Sequence, residues 1–333
     1  MSRPRVLITA ALLKDFPGSH ERLLQDAGFE LCFPNPWPHQ MTEQQIQKLL
    51  PGHQAVLAGS EPYTNAVFAK APGVKVIARI GVGHDAVDKA AATAHKVAVT
   101  IAVGGNQESV AEQAMGMMLA MMKQFRQTHN GLLQGDWLRI VTPAVRGKTL
   151  GIVGLGRIGR AMVPRAKAFR MKVIAAEIQP DHAYMKEEGI ELVSFETLMR
   201  QADVVSLHVP LTPCTHHMIR AETLQWMKPT AYLINTARGK VVHEPDLYHA
   251  LKRQQIAGAA LDVFDHEPME TKDHPLFHLN NVLLTPHTAG TDDQARHDLA
   301  LLAARSIIEL YHGRWPEEQI VNPDVLHSFH WAH

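Results

Sequence analysis

Short, predominantly apolar runs alternate with helix-like stretches along most of the chain. Val6–Ile8, Phe29–Phe33, Ala55–Ala58, Val74–Ala78 and Val97–Ile101 read as buried strands. The stretches between them, around residues 18–27, 42–50, 64–70 and 85–95, are long enough for crossover helices, which predicts a doubly wound parallel α/β unit. A second series follows at Thr149–Val153, Lys172–Ala176, Asp203–Leu207, Ala231–Asn235, Ala257–Asp262 and Val282–Thr285, and predicts a second α/β unit with its own sheet.

Between the two series, Asn106 to about Phe125 is rich in Ala, Met and Leu, with Glu108 and Glu112 in its first turns where carboxylates favour a helix N-terminus. It reads as one long connecting helix, and its methionines as packing rather than as an adaptable partner surface. The last helical pattern, Asp292–Tyr311, places Leu299, Ala303 and Ile307 at four-residue spacing and is expected to return to the first unit, making that domain discontinuous. A length of 333 residues suits two cores.

Composition narrows the partners. Lys plus Arg equals Asp plus Glu at 33 each, so no summed field draws nucleic acid or an acidic membrane. The two cysteines, Cys32 and Cys214, have neither disulfide-framework nor zinc spacing, which fits a reducing cytoplasm. The N-terminus lacks a signal-peptide apolar core, and no stretch is long and apolar enough to span a bilayer. Histidine is abundant at 21 residues, several of them in the tail His327–His333. That tail is read as a solvent-exposed end in preference to a metal-capturing one, and no metal is expected.

Gly154-Leu-Gly156-Arg-Ile-Gly159 follows the strand Gly151-Ile-Val-Gly and opens a helical stretch through Phe169. In that setting Gly154 permits a tight turn, Gly156 lets backbone approach a pyrophosphate, and Gly159 allows close helix–strand contact, with the helix N-terminus aimed at the phosphates. The next strand ends in Glu177, 18 residues past Gly159. A carboxylate there can accept from both adenosine ribose hydroxyls and would repel a 2′-phosphate, so the expected cofactor is NAD rather than NADP.

Arg238, Glu267 and His287 lie just after apolar runs of the second series, where open parallel sheets expose ligand-facing loops. The guanidinium of Arg238 can hold a carboxylate bidentately. An imidazole at His287 can give a proton to a carbonyl oxygen and take it back, and Glu267 can orient that ring and favour its charged form.

Together with the glycine loop, the order and flanks of these residues resemble the D-isomer-specific 2-hydroxyacid dehydrogenase family, which includes glycerate, glyoxylate/hydroxypyruvate and phosphoglycerate dehydrogenases. The resemblance runs from about Ala78 to Gly290. Its blocks are Arg79-Ile-Gly-Val-Gly-His-Asp85, Asn106-Gln-Glu-Ser-Val-Ala-Glu112, the glycine loop, His208-Val-Pro-Leu-Thr-Pro213, Asn235-Thr-Ala-Arg-Gly239, Ala260-Leu-Asp-Val-Phe-Asp-His-Glu-Pro268 and Leu284-Thr-Pro-His-Thr-Ala-Gly290. It implies Arg238 as the substrate-binding arginine, Glu267 as the orienting glutamate and His287 as the acid/base histidine. The backbone of Val82 and Gly83 would bind the substrate carboxylate. Val110, Arg157, Ile158, Glu177, Val209, Pro210, Thr215, Thr236, Asp262 and Gly290 would line the NAD site, with Asp262 near the carboxamide and Val110 by the nicotinamide. The resemblance further implies a Rossmann NAD-binding domain over 104–284, a flavodoxin-like substrate domain from 1–103 plus 285–333, hydride transfer at C2 of a small D-2-hydroxy or 2-keto acid, and a homodimer.

Some positions depart from the family. Glu112-Gln113 stands where Glu-His is frequent, and His84-Asp85 replaces a common Val-Asp or Tyr-Asp. The segment Ala58-Gly-Ser-Glu-Pro-Tyr63 lacks the arginine with which phosphoglycerate members grip a phosphate, and Glu61 there disfavours a phosphorylated substrate. With 333 residues, the chain is expected to lack the regulatory domain that long phosphoglycerate dehydrogenases append. A small unphosphorylated acid such as glyoxylate or hydroxypyruvate is therefore expected. Phosphoglycerate dehydrogenase and an NAD-sensing corepressor-like binding protein are the alternatives, and formate dehydrogenase, with glutamine in place of the orienting glutamate, fits less well.

Overall fold

The computed structural model describes residues 3–38, 41–269 and 273–331. The chain divides into two compact units, residues 1–106 with 291–333, and residues 107–290. In the first unit the strands β1 (Arg5–Ile8), β2 (Glu30–Cys32), β3 (Ala55–Ala58), β4 (Val76–Arg79) and β5 (Ala98–Ile101) form a parallel sheet in the order β2-β1-β3-β4-β5. That is the flavodoxin-like order. The helices α1 (Ser19–Asp26), α2 (Glu43–Leu49), α3 (Asn65–Lys70) and α4 (Lys89–Ala94) connect them. The stretch expected to be helical from residue 85 becomes so only at Lys89, because Asp88 stops the turn and caps the helix by accepting from the Ala91 N–H at 2.9 Å.

The chain returns to this unit through its last long helix, Asp293–Tyr311, capped by Asp292. Ala300, Ala303, Ala304 and Ile307 of that helix are buried against Val6, Ile8, Leu24 and Leu57. The segment that follows covers the edge of β5, where the Ile101 N–H donates to the Gln319 carbonyl and the Val321 N–H to the Val99 carbonyl. Buried Asn322 accepts from the Val99 N–H and donates to the Val97 carbonyl, both at 2.9 Å, so the edge strand exposes few free backbone groups. The C-terminal residues are less solvated than expected. His327 and His330 are exposed, but the Trp331 ring packs edge-on to Phe29 and Tyr311, and Phe329 packs against Trp315. Ala332 and His333 lie outside the described residues.

The second unit opens with α5 (Gln107–Met122) and α6 (Phe125–Leu133). The connecting helix expected over 106 to about 125 is α5; α6, which the sequence reading did not include, follows a break at Gln124, whose φ of 54° is left-handed. Met115, Met117, Met118 and Met122 of α5 are buried with Leu150, Ile152, Ala161 and Met162, which is the packing role read from the sequence. The strands β6 (Thr149–Val153), β7 (Lys172–Ala176), β8 (Glu191–Leu192), β9 (Val204–Leu207), β10 (Tyr232–Asn235), β11 (Gly258–Leu261) and β12 (Val282–Leu284) make a parallel sheet ordered β12-β11-β10-β9-β6-β7-β8. This is the Rossmann order, with its reversal at β6. The helices α7 (Arg157–Ala168), α8 (His182–Glu187), α9 (Phe195–Gln201), α10 (Ala221–Leu224) and α11 (Glu244–Lys252) link the strands. β8 is absent from the sequence reading because its two residues are exposed and carry no apolar run.

Pro164 sits inside α7 and cannot donate to the Arg160 carbonyl one turn back. The Tyr184 hydroxyl donates to that carbonyl at 3.4 Å, and the Arg160 guanidinium lies 4.4 Å over the Tyr184 ring. The proline is thus accommodated by α8, which ties the two helices that flank β7. No helix among the described residues is long and apolar enough to cross a membrane.

Candidate active site

The strands β6, β9, β10, β11 and β12 all end on one rim of the second sheet, and the loops after them carry the chemistry. After β6, Gly154 has φ +92°, and a Cβ on it would stand 2.8 Å from the His208 carbonyl oxygen at the end of β9. Gly159 is held even more tightly, since a Cβ there would meet the Gly154 carbonyl oxygen at 2.3 Å. Around Gly156, by contrast, a Cβ would meet nothing within 4 Å, and this residue precedes α7 without a side-chain cap. The first N–H groups of α7, including those of Ile158 and Gly159, have no intrahelical acceptor, which with the open space at Gly156 suits a pyrophosphate.

Glu177 lies at the end of β7 beside this loop. Its carboxylate accepts from the Leu155 N–H at 2.7 Å and from the Gln179 N–H at 2.9 Å. Each oxygen keeps a further lone pair for a ribose hydroxyl. Val209 and Pro210 follow β9, and the Thr215 hydroxyl donates to the Pro210 carbonyl at 2.6 Å, closing that loop on itself. Thr236, after β10, is buried, and its hydroxyl has no partner among the described residues. Val110 is buried on α5, and Gly290 is half-buried at the end of the unit. The glycine loop, the uncapped helix, the placed carboxylate and the orphaned hydroxyl together fit a dinucleotide.

Arg238, Glu267 and His287 follow β10, β11 and β12. Asn235, fully buried at the end of β10, accepts from the Ala237 N–H at 3.0 Å and donates to the Arg238 carbonyl at 3.0 Å, which fixes the turn that carries the guanidinium. The next residue must be glycine, because a Cβ on Gly239 would fall 1.9 Å from the Phe264 carbonyl carbon. The loop after β10 therefore lies directly against the loop after β11. In that second loop the Asp265 N–H donates to Glu244 at 2.6 Å, and the Phe264 N–H donates to Glu267 at 2.8 Å. Glu267 is left with its other oxygen 2.5 Å from His287 Nδ1.

His287 adopts φ +54°, which for a non-glycine residue stores roughly 1–3 kcal/mol of strain. Asp262 holds it there. The Asp262 carbonyl accepts the His287 N–H at 2.7 Å, while the fully buried Asp262 carboxylate accepts the Thr285 hydroxyl at 2.5 Å and the Thr288 and Ala289 N–H groups at 2.9 Å. Asp262 was expected near the carboxamide; here it is first of all the anchor of the histidine loop. The hydrogen bond that His287 donates to Glu267 raises the pKa of His287 against the opposing effects of burial and of the Arg238 charge. Burial pushes Glu267 upward, but His287, the Phe264 N–H and Arg238 together bring it below its ordinary value. The pair thus favours imidazolium beside carboxylate, with a guanidinium near both.

Val82 and Gly83 belong to the first unit, in the loop after β4. Glu61, read as a deterrent to a phosphorylated substrate, is buried at 4% exposure, and burial raises its pKa. It presents no carboxylate to solvent, so what remains of that argument is the absence of Lys or Arg from residues 58–63. The sequence reading missed Asn235, Gly239 and Glu244. Asn235 and Gly239 stand in a quoted block but signal nothing by residue type, and Glu244 acts on a loop about 20 residues further along the chain.

Residues 115–289 match the family described as D-isomer specific 2-hydroxyacid dehydrogenase, NAD binding domain. A glyoxylate reductase of Korarchaeum cryptofilum is 39% identical over 273 residues, 80% of this chain and 82% of the relative. A D-3-phosphoglycerate dehydrogenase of Methanocaldococcus jannaschii is 38% identical over 286 residues, 85% of this chain but 54% of the relative. Among solved structures, D-lactate dehydrogenase from Aquifex aeolicus, complexed with NAD and lactic acid, matches with a TM-score of 0.84 at 26% identity over 96% of this chain and 99% of that one. The chain belongs to the D-isomer-specific 2-hydroxyacid dehydrogenase family, and is an NAD-dependent oxidoreductase acting on 2-hydroxy and 2-keto acids.

Because the raised pKa keeps His287 protonated to higher pH, keto-acid reduction should hold its rate until pH rises through that value and then fall. Replacing Glu267 with Gln removes the largest cause of the shift. The fall in kcat/KM for reduction should move to lower pH, read from pH–rate profiles of both enzymes; an unmoved profile would show that Glu267 does not set the histidine's titration.

Proposed function

We propose that the protein reduces a small unphosphorylated 2-keto acid, glyoxylate or hydroxypyruvate, with NADH, and that Arg238, Glu267 and His287 carry the reaction. The observation that carries this reading is the 2.5 Å contact between His287 Nδ1 and Glu267, with Arg238 electrostatically close to both. Nδ1 is committed to the glutamate, so Nε2 is the atom left to deliver a proton to the substrate carbonyl oxygen. Arg238 pairs with the substrate, and the N–H groups of Val82 and Gly83 suit its carboxylate. Gly154, Gly156, Arg157, Ile158 and Gly159 would hold the pyrophosphate, and Glu177 the adenosine ribose. Val209, Pro210, Thr215, Thr236, Asp262, Gly290 and Val110 would line the rest of the cofactor site. Bound NADH supplies the hydride.

Support for an unphosphorylated substrate comes from the absence of a cation in 58–63 and from the glyoxylate reductase name of the K. cryptofilum relative. Phosphoglycerate dehydrogenase is the second reading, favoured by the M. jannaschii match. A reducing cytoplasm is the compartment that suits two unpaired thiols, Cys32 and Cys214.

The oligomer we propose is a homodimer. Along α6 and the segment after it, Leu133, Trp137 and Val141 are 74%, 80% and 96% exposed, with Phe125 and Leu132 also exposed. Large apolar side chains left open in one arm suit a covering partner, here a second copy of the chain.

Purified protein should oxidise NADH rapidly with glyoxylate or hydroxypyruvate and slowly with phosphohydroxypyruvate or NADPH. Preference for the phosphorylated acid would select the second reading, and silence with NADH still bound would select a binding protein. His287→Ala should lower kcat by about 10²–10⁴-fold while NADH affinity, read by fluorescence titration, stays within about twofold; comparable loss of both would make the histidine structural. In sedimentation, the wild type should run as a dimer and the Leu133→Asp/Trp137→Asp double variant as a monomer, whereas a monomeric wild type at micromolar concentration rules the dimer out.

A further inference from the structure

The loop after β4 has an uneven accounting of backbone hydrogen bonds. Its four carbonyls from Gly81 to His84 are taken: Gly81 by the Ala102 N–H at 3.0 Å, Val82 by His84 Nδ1 at 3.4 Å, Gly83 by Arg79 Nε at 3.1 Å, and His84 by the Val87 N–H at 3.1 Å. The N–H groups of Val82 and Gly83 have no acceptor among the described residues. Peptide planarity connects the two facts. In a trans peptide the carbonyl oxygen and the following N–H point in opposite directions, so pinning one aims the other. Holding the Gly81 carbonyl turns out the Val82 N–H, and holding the Val82 carbonyl turns out the Gly83 N–H. Gly81, at φ +150°, supplies the backbone freedom at the start of this run.

The group that holds the Val82 carbonyl is a side chain, and its donor state is set by a neighbour. Lys89 Nζ lies 3.4 Å from His84 Nε2. An ammonium can only donate, so in the neutral ring Nε2 accepts and Nδ1 carries the hydrogen that goes to Val82. We propose that His84 is a positioning residue for the substrate carboxylate: by fixing the Val82 carbonyl it aims the Gly83 N–H at the carboxylate and so lowers the KM for the keto acid. This rests on the reading that the Val82–Gly83 backbone binds that carboxylate. His84 touches no reacting atom, so its effect belongs to binding and not to the chemical step.

The test compares KM and kcat for the keto acid at saturating NADH in wild type, His84→Val, His84→Asn and His84→Gln, with Arg238→Lys alongside. An Asn amide nitrogen sits near the Nδ1 position and a Gln amide nitrogen near Nε2, so only Asn retains the donor where Val82 needs it. The hydrogen bonds of His84 to Val82 and Lys89 are long, and the expected change is correspondingly modest. His84→Val should raise KM about three- to tenfold with kcat within about twofold, and Asn, but not Gln, should recover most of the loss. If the Val variant fails to fold, the Asn–Gln difference reads the same question. An unchanged KM in His84→Val with a raised KM in Arg238→Lys would overturn the role of His84 alone, as would Asn performing no better than Gln. An unchanged KM in both His84→Val and Arg238→Lys would overturn the carboxylate reading, and this inference with it.

Discussion

The second unit depends on one buried acceptor. The Asp262 carboxylate is wholly removed from solvent, which is costly for a group of that polarity unless its lone pairs are filled. They are filled by the loop that carries His287, through Thr285, Thr288 and Ala289. The residue in the middle of that loop is held in a left-handed conformation it would not choose alone. Satisfaction of a buried carboxylate and placement of a strained imidazole are therefore one requirement, met by the same few atoms.

From that anchor the remaining geometry follows by contact. Glu267 can reach His287 because its own loop is fastened by the Phe264 N–H on one oxygen and, through Asp265, by Glu244 of α11. Arg238 is close enough to weigh on both because Asn235 shapes its turn. Arg238, Glu267 and His287 stand beyond strand ends, while the groups that fix them lie one layer below, in the sheet and its first helix turns.

The sequence exposed the reacting layer more readily than the supporting one. Both sheets were legible because a strand buried on both faces has to be apolar, as Ala55–Ala58 and Val204–Leu207 are. Where that pressure was missing the reading failed. β8 is exposed, and α6, beyond the expected connecting helix, buries only Gly131. Arg238, Glu267 and His287 were visible by chemistry and position. Asn235 and Glu244 were not, because an amide and a carboxylate spent on backbone N–H groups look in sequence like any others. Glu61 shows the converse error: its charge was set against a phosphorylated substrate, while its side chain is buried.

Gly239 joins these layers, since no side chain can fit between its Cα and the Phe264 carbonyl. In evolutionary terms the loop after β10 and the loop after β11 are a single inherited block. A drift of either backbone must be answered in the other, so the arginine and the glutamate can change partners or spacing only through paired events. Variation among descendants of this chain should accumulate elsewhere, in positions outside these two loops whose change leaves that backbone contact intact.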